Sequence, residues 1–135
     1  MATTKHHDLF MQNHAILVVD DDPAVRNSLK FSLEIEGFDV RVYPGGGELL
    51  TDTDLPNQGC LIIDYKMPDM NGLELLKKLR DLRILIPAII ITSHPNSNLR
   101  ARAAAAGVSI IEKPFAGNAL LDELRDIFAR QPSLG

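Results

Sequence analysis

Hydrophobic residues fall into short runs that alternate with longer amphipathic segments. The runs are AILVV at 15–19, FDVRVY at 38–43, CLII at 60–63, PAIIIT at 87–92 and VSII at 108–111. Runs such as ILVV and IIIT lack polar alternation, which indicates strands covered on both faces, as in a parallel sheet between helices. The pattern therefore predicts a five-stranded, doubly wound α/β fold.

Helix-end signals support this reading. Asp22 and Pro23 suit the N-cap and first position of one helix, and Gly37 suits its left-handed end. Asn71 is predicted to open another helix. Asn118 is predicted to cap the last helix, whose apolar residues share one face: Leu120, Leu124, Ile127 and Phe128. Only GGGELLT is available for the second helix, which is therefore expected to be short and to start late.

Composition narrows the class of protein. The 135 residues are 45% hydrophobic and 24% charged, which is typical of one globular domain. No apolar run approaches the roughly 20 residues of a membrane span, and no secretion signal is evident, so a cytoplasmic protein is expected. Acidic residues outnumber basic ones 18 to 14, which argues against direct nucleic-acid binding by this segment. The single cysteine, Cys60, is expected to be a buried thiol.

Polar residues follow four of the predicted strands directly. Their positions are Asp20 to Asp22, Asp64, Thr92 with Ser93, and Glu112 with Lys113. Ligands of open parallel sheets gather outside the carboxyl ends of the strands, so these side chains are expected at one rim.

The acidic residues at this rim predict a metal site. Carboxylates from two strands repel one another unless a cation compensates, and Mg²⁺ binds through one or two carboxylates while keeping several waters. Helix capping alone explains Asp22, but it does not explain Asp20 and Asp21 at the end of a buried strand.

Asp64 is the candidate nucleophile. It is expected at the rim because it directly follows the buried run CLII. It could be only a turn-forming residue, but a carboxylate beside Mg²⁺ can also accept a phosphoryl group as an aspartyl phosphate. The ammonium of Lys113 and the hydroxyl of Thr92 are then placed to stabilise charge on the phosphoryl oxygens. The Lys113–Pro114 bond could be cis or trans.

Four segments in this order closely resemble receiver domains of bacterial two-component response regulators. They are DDD at 20–22, IIDYKMPDMNGLELL from 62, IITSH at 90–94 and EKPF at 112–115. The sequence is most similar to receivers at the N-terminus of regulators with a helix-turn-helix output. The resemblance covers about Ala15 to Arg130 and implies a single flavodoxin-like domain with five helices and strand order 2-1-3-4-5. Residues 14–130 would form that domain. Residues 1–13 would be a tail, and 131–135 a tail or the start of a linker to an output domain.

The resemblance also implies a metal site built from four residues. Asp21 would bind Mg²⁺ directly, Asp20 would act partly through water, and the backbone carbonyl of Lys66 would complete the site with Asp64. Asp64 would be the phosphoacceptor.

The resemblance further implies the switch residues. Thr92 would be the hydroxyl that moves to meet the phosphoryl group, and Lys113 the salt-bridging lysine beside a cis Pro114. The chain departs from the family at Ile110, where a Tyr or Phe usually stands and turns inward. His94 could lie over the site, although a solvated loop histidine is the simpler reading.

The implied function is a phosphorylation switch. A phosphohistidine of a sensor kinase or phosphotransfer protein would donate to Asp64, and self-association, such as a homodimer, or partner binding would change through the face of helix 4, strand 5 and helix 5. Such a receiver is not an enzyme acting on other substrates, because it catalyses only its own phosphorylation and dephosphorylation. The alternative is a degenerate receiver that binds partners without phosphorylation. Two other classes fit less well. A flavodoxin-like flavin carrier would need a Ser/Thr/Gly-rich phosphate loop after strand 1, and a Mg²⁺-dependent phosphatase with an Asp nucleophile would carry a second acid where Lys66 stands.

Overall fold

The computed structural model describes residues 14–115 and 118–131. Five strands alternate with five helices over these residues: β1 (Ala15–Val19), α1 (Pro23–Ile35), β2 (Asp39–Tyr43), α2 (Gly46–Thr51), β3 (Cys60–Asp64), α3 (Gly72–Asp81), β4 (Ala88–Thr92), α4 (Ser97–Ala105), β5 (Ser109–Glu112) and α5 (Ala119–Arg130). The predicted tails, apart from Gln131, lie outside the described residues, and the predicted domain limits of 14 and 130 stay a prediction.

The strands form one parallel sheet in the order β2-β1-β3-β4-β5. The predicted doubly wound fold and strand order are confirmed. β1, β3 and β4 are buried along their whole length because helices cover both faces of the sheet. The carboxyl ends of all five strands consequently face the same rim.

Two apolar layers hold the sheet, one on each face. The first layer joins α1 and α5 to the sheet through Leu29, Leu33, Leu124 and Phe128. The second joins α2 and α3 to the opposite face through Leu49, Leu75 and Leu79. The buried face predicted for α5 is confirmed, and α2 is as short as predicted. The thiol of Cys60 is buried within the first layer.

The sequence signals for both ends of α1 and for the start of α3 are confirmed. The Asp22 carboxylate accepts the Ala24 N–H at 2.9 Å, and Pro23 opens α1. At the other end of α1, Gly37 has φ 101° and the Phe38 N–H donates to the Leu33 carbonyl, which is a Schellman ending. Asn71 opens α3 in a capping box, in which its side chain and that of Glu74 each accept a backbone N–H at 2.8 Å.

The predicted cap of α5 is wrong in one respect. Asn118 occupies the N-cap position, but its side chain makes no capping hydrogen bond. Its backbone φ of −109° and ψ of 20° differ from the extended conformation that directs a cap side chain toward the first-turn N–H groups.

Candidate functional site

The rim at the carboxyl ends of the strands brings together the acidic residues predicted from the sequence. Asp20 follows β1 and Asp64 ends β3, and their side chains are almost completely buried, whereas Asp21 is exposed. One carboxylate oxygen from each of these three residues lies within 4.8 Å of the others. Because β1 and β3 are neighbours in the sheet, with Val19 paired to Ile63, the next residues along the chain, Asp20 and Asp64, lie side by side.

Backbone groups hold Asp20 in place. Its carboxylate Oδ1 accepts the Asp22 N–H at 2.9 Å, and its backbone N–H donates to the Tyr43 carbonyl at 3.1 Å. Its own carbonyl accepts a hydrogen bond from the Arg26 guanidinium at 2.8 Å. The sequence did not reveal the role of Arg26, although its position in the first turn of α1 was a signal that the side chain could reach the rim.

Lys113 supplies a positive charge to the acidic cluster. Its Nζ lies 3.3 Å from an Asp20 oxygen and 3.4 Å from an Asp64 oxygen, with only 16% of the side chain exposed. Burial lowers the pKa of Lys113, but attraction to Asp64 and Asp20 outweighs it and raises the pKa overall. Lys113 therefore stays protonated and bridges the two carboxylates. The Lys113–Pro114 bond is cis.

The single ammonium of Lys113 does not balance the charge of the acidic cluster. Burial, followed by repulsion from Asp20, raises the pKa of Asp64 from 3.8 to about 6, although Lys113 acts in the opposite direction. Three ionised carboxylates facing one ammonium carry two excess negative charges. A divalent cation with oxygen ligands would neutralise them, so the residues fit Mg²⁺.

Thr92 ends β4 on the same rim and is almost completely buried. Its hydroxyl oxygen accepts the His94 N–H at 3.3 Å, and its carbonyl accepts the Lys113 N–H at 2.8 Å. The loop between β4 and α4 is thus attached to the strand end through this residue. The side chain of His94 is exposed, as expected for a solvated loop histidine.

The other residues singled out from the sequence, Lys66 and Ile110, take no part in the contacts described above. Lys66 is two residues beyond Asp64 in the loop to α3 and its side chain is exposed, while its carbonyl as a metal ligand stays a prediction. Ile110 is partly buried and packs against the second apolar layer. The structure thus unites Asp20, Asp21, Asp64 and Lys113 directly.

Comparison with known proteins identifies the kind of domain. A family model described as the response regulator receiver domain matches residues 16–125. The transcriptional regulatory protein FixJ of Rhizobium meliloti (strain 1021) is 38% identical over 115 residues, which are 84% of this chain and 56% of that protein. The chain spans about half the length of the curated relatives it matches.

Solved structures agree with the sequence comparison. The crystal structure of FixJ-N aligns with a TM-score of 0.79 and 37% identity, covering 92% of this chain and 100% of that one. The response regulator TrrA from Thermotoga maritima, solved in complex with Mg²⁺-BeF, aligns with a TM-score of 0.72 and 28% identity, covering 84% of this chain and 98% of that one.

In the described part of this chain, no helix is long and apolar enough to span a bilayer.

Proposed function

This chain belongs to the response regulator receiver domain family, and from that premise we propose that it is a switch that accepts a phosphoryl group on Asp64. One observation carries the proposal. The buried Asp64 carboxylate lies within 4.8 Å of the Asp20 and Asp21 carboxylates and 3.4 Å from the Lys113 ammonium. This arrangement combines a nucleophile, oxygen ligands for a cation and a fixed positive charge.

The proposed donor is the phosphohistidine of a sensor kinase or of a phosphotransfer protein. An Asp64 carboxylate oxygen attacks the phosphorus, a P–O bond forms, and the P–N bond to the imidazole breaks. The bonding electron pair returns to the imidazole nitrogen, which takes up a proton. Attack requires an ionised carboxylate, and the Asp64 pKa of about 6 leaves this group mostly ionised at neutral pH.

The other rim residues have separate roles in the proposal. Asp20, Asp21, Asp64 and the Lys66 carbonyl would hold Mg²⁺, which when bound neutralises charge on the phosphoryl oxygens. Lys113 keeps its ammonium beside Asp64 and contacts the new phosphoryl group. The Thr92 hydroxyl donates a second contact from the end of β4.

The expected effect of phosphorylation on the rest of the domain follows from the negative charge that the phosphoryl group adds. A phosphoryl group adds up to about two negative charges, which offer Thr92 and Lys113 a new partner. We expect the face formed by α4, β5 and α5 to rearrange and to change self-association, to a homodimer for example, or partner binding. The predicted restriction of catalysis to the domain's own phosphorylation belongs to the same proposal, and the predicted cytoplasmic location stays a prediction.

Intact-mass analysis after incubation with acetyl phosphate and Mg²⁺ tests the proposal. The wild-type chain should gain one phosphoryl group, and chelation of the metal should prevent the gain. Asp64→Asn should abolish it, whereas Asp81→Asn, which removes an exposed acid on α3, should not. Absence of any gain with several phosphodonors would support the alternative, a degenerate receiver that acts without phosphorylation.

A further inference from the structure

A hydrogen bond outside the acidic cluster connects the residue after Asp64 to helix α4. The Arg102 Nη1 donates to the Tyr65 hydroxyl at 3.2 Å, across 37 positions of sequence. None of the roles proposed above uses either side chain. This contact nevertheless joins the segment that carries the candidate phosphoacceptor to the face expected to change on phosphorylation.

Tyr65 is fixed to the sheet. Its backbone N–H donates to the Ile91 carbonyl at 2.9 Å, and its carbonyl accepts the Gly72 N–H at 2.8 Å. Its ring packs against the second apolar layer. Backbone hydrogen bonds to β4 and to the start of α3 hold the main chain of Tyr65, and the apolar layer holds its ring. The Tyr65 hydroxyl that accepts the Arg102 hydrogen bond is therefore fixed relative to the sheet.

Helix α4, by contrast, is weakly anchored. Only Leu99 and Ala103 are buried among its nine residues, and the other seven are exposed. The helix begins at Ser97, after the short loop that follows Thr92, and the Asn96 side chain caps its first turn. With so few buried residues on α4, loss of this solvent-exposed hydrogen bond should be detectable as faster local opening of the helix.

We propose that Tyr65 and Arg102 are positioning residues that hold α4 in its resting arrangement and release it when Asp64 is phosphorylated. The inference rests on the proposed function, in which the Thr92 hydroxyl moves toward the phosphoryl group. That movement pulls the loop that leads into α4 and carries Arg102 with the helix, while Tyr65 stays with the sheet. The hydrogen bond between them is then lost.

This contact also addresses the departure at Ile110. An aliphatic side chain there packs against the second apolar layer and has no aromatic ring to turn inward. The Tyr65 hydroxyl supplies a polar contact to α4, and Tyr65, like Ile110, packs against the second apolar layer. On this inference, the contact that links the site to α4 lies at Tyr65 and does not require an aromatic ring at position 110.

Hydrogen–deuterium exchange of residues 97–105, read by mass spectrometry, tests the inference in Tyr65→Phe, Arg102→Gln and the double variant. Each single variant should speed exchange of α4 in the unphosphorylated protein by about fivefold, the equivalent of losing about 1 kcal/mol of hydrogen bonding. The double variant should exchange no faster than either single one. Tyr43→Phe is the matched control, because its hydroxyl binds Asp52 and not α4.

The change in α4 exchange on phosphorylation distinguishes a positioning role of Tyr65 and Arg102 from a purely structural one. In the wild type it should speed α4 exchange about fivefold, whereas in Tyr65→Phe it should add little, since the contact is already absent. Phosphorylation yield by intact mass should match the wild type in both single variants, and the free energy of unfolding in urea should fall by no more than the same loss of about 1 kcal/mol. Retention of the full phosphorylation response in Tyr65→Phe would overturn the inference, as would additive effects in the double variant. A wild-type chain that gains no phosphoryl group would instead overturn the proposed function.

Discussion

Replacing Asp64 with Asn is predicted to stabilise the metal-free protein at neutral pH. The variant keeps the shape of the side chain and removes one of three clustered negative charges. Burial and repulsion from Asp20 raise the Asp64 pKa from 3.8 to about 6, so the folded state disfavours the ionised carboxylate. Asp64 is mostly ionised at neutral pH, but its ionised form costs more in the folded state than in the unfolded one, and Asn avoids that cost.

The sign and size of the stability change in Asp64→Asn follow from the linkage between proton binding and folding. Because the folded pKa lies above the unfolded one, the folded state binds the proton more tightly, and wild-type stability falls as pH rises from about 4 to about 6. A shift of roughly two units corresponds to at most about 3 kcal/mol at pH 7. Counterions and water at the open rim reduce this, so we expect Asp64→Asn to be more stable by about 2 kcal/mol.

Urea unfolding in the presence of a chelator, at several pH values from 4 to 8, measures the effect. The stability difference between variant and wild type should be near zero at pH 4 and should level off above pH 6. Asp81→Asn, whose parent side chain is 67% exposed, should show no such dependence. A difference that does not vary with pH, or a variant that is less stable at pH 7, would refute the reasoning. Added Mg²⁺ should stabilise the wild type more than the variant.

Four further substitutions test packing, a side-chain hydrogen bond and a helix cap. Gly72→Ala should lower the free energy of unfolding by about 1–3 kcal/mol, because a Cβ there would lie 2.9 Å from the backbone carbonyl oxygen of Asp64. Gly47→Ala should raise the free energy of unfolding by about 0.5–1 kcal/mol, because a Cβ there would have no atom nearer than 3.8 Å and Ala favours a helix more than Gly does. Urea unfolding checks both substitutions. Tyr43→Phe should remove a 2.6 Å hydrogen bond to Asp52. Because burial and that bond raise the Tyr43 pKa to about 12, the wild type should lose stability as pH rises from about 10 to 12, and the variant should lose less. Asn71→Ala should destabilise α3 by about 1 kcal/mol, seen as a lower urea midpoint, because the capping box loses one partner.

Much of the fold was predictable because its signals are local. Apolar runs without polar alternation marked β1, β3 and β4 as strands buried on both faces. Asp22 with Pro23, and Asn71 with Gly72, marked helix starts through contacts within one turn of chain. Asn118 shows the limit of such signals, since a favourable residue at an N-cap position still needs the backbone angles that direct its side chain.

The acidic cluster was predictable for a topological reason. Parallel strands place their carboxyl ends on one rim, so acids that follow neighbouring strands must meet there, as Asp20 and Asp64 do. Residue type and position along the chain are therefore enough to predict that these groups cluster. They are also enough to predict that the cluster suits a cation with oxygen ligands.

The contacts that set the properties of this site depend on the packed molecule. Lys113 lies between Asp20 and Asp64 only because β5 and the loop after it bring the ammonium within 3.4 Å of both carboxylates. The hydrogen bond from Arg102 to Tyr65 spans 37 residues and depends on how α4 lies against the sheet. Side-chain reach across elements is set by the relative placement of all the elements together, and no local stretch of sequence encodes that placement. The sequence thus specifies which groups gather at the rim, and tertiary packing specifies which of them touch.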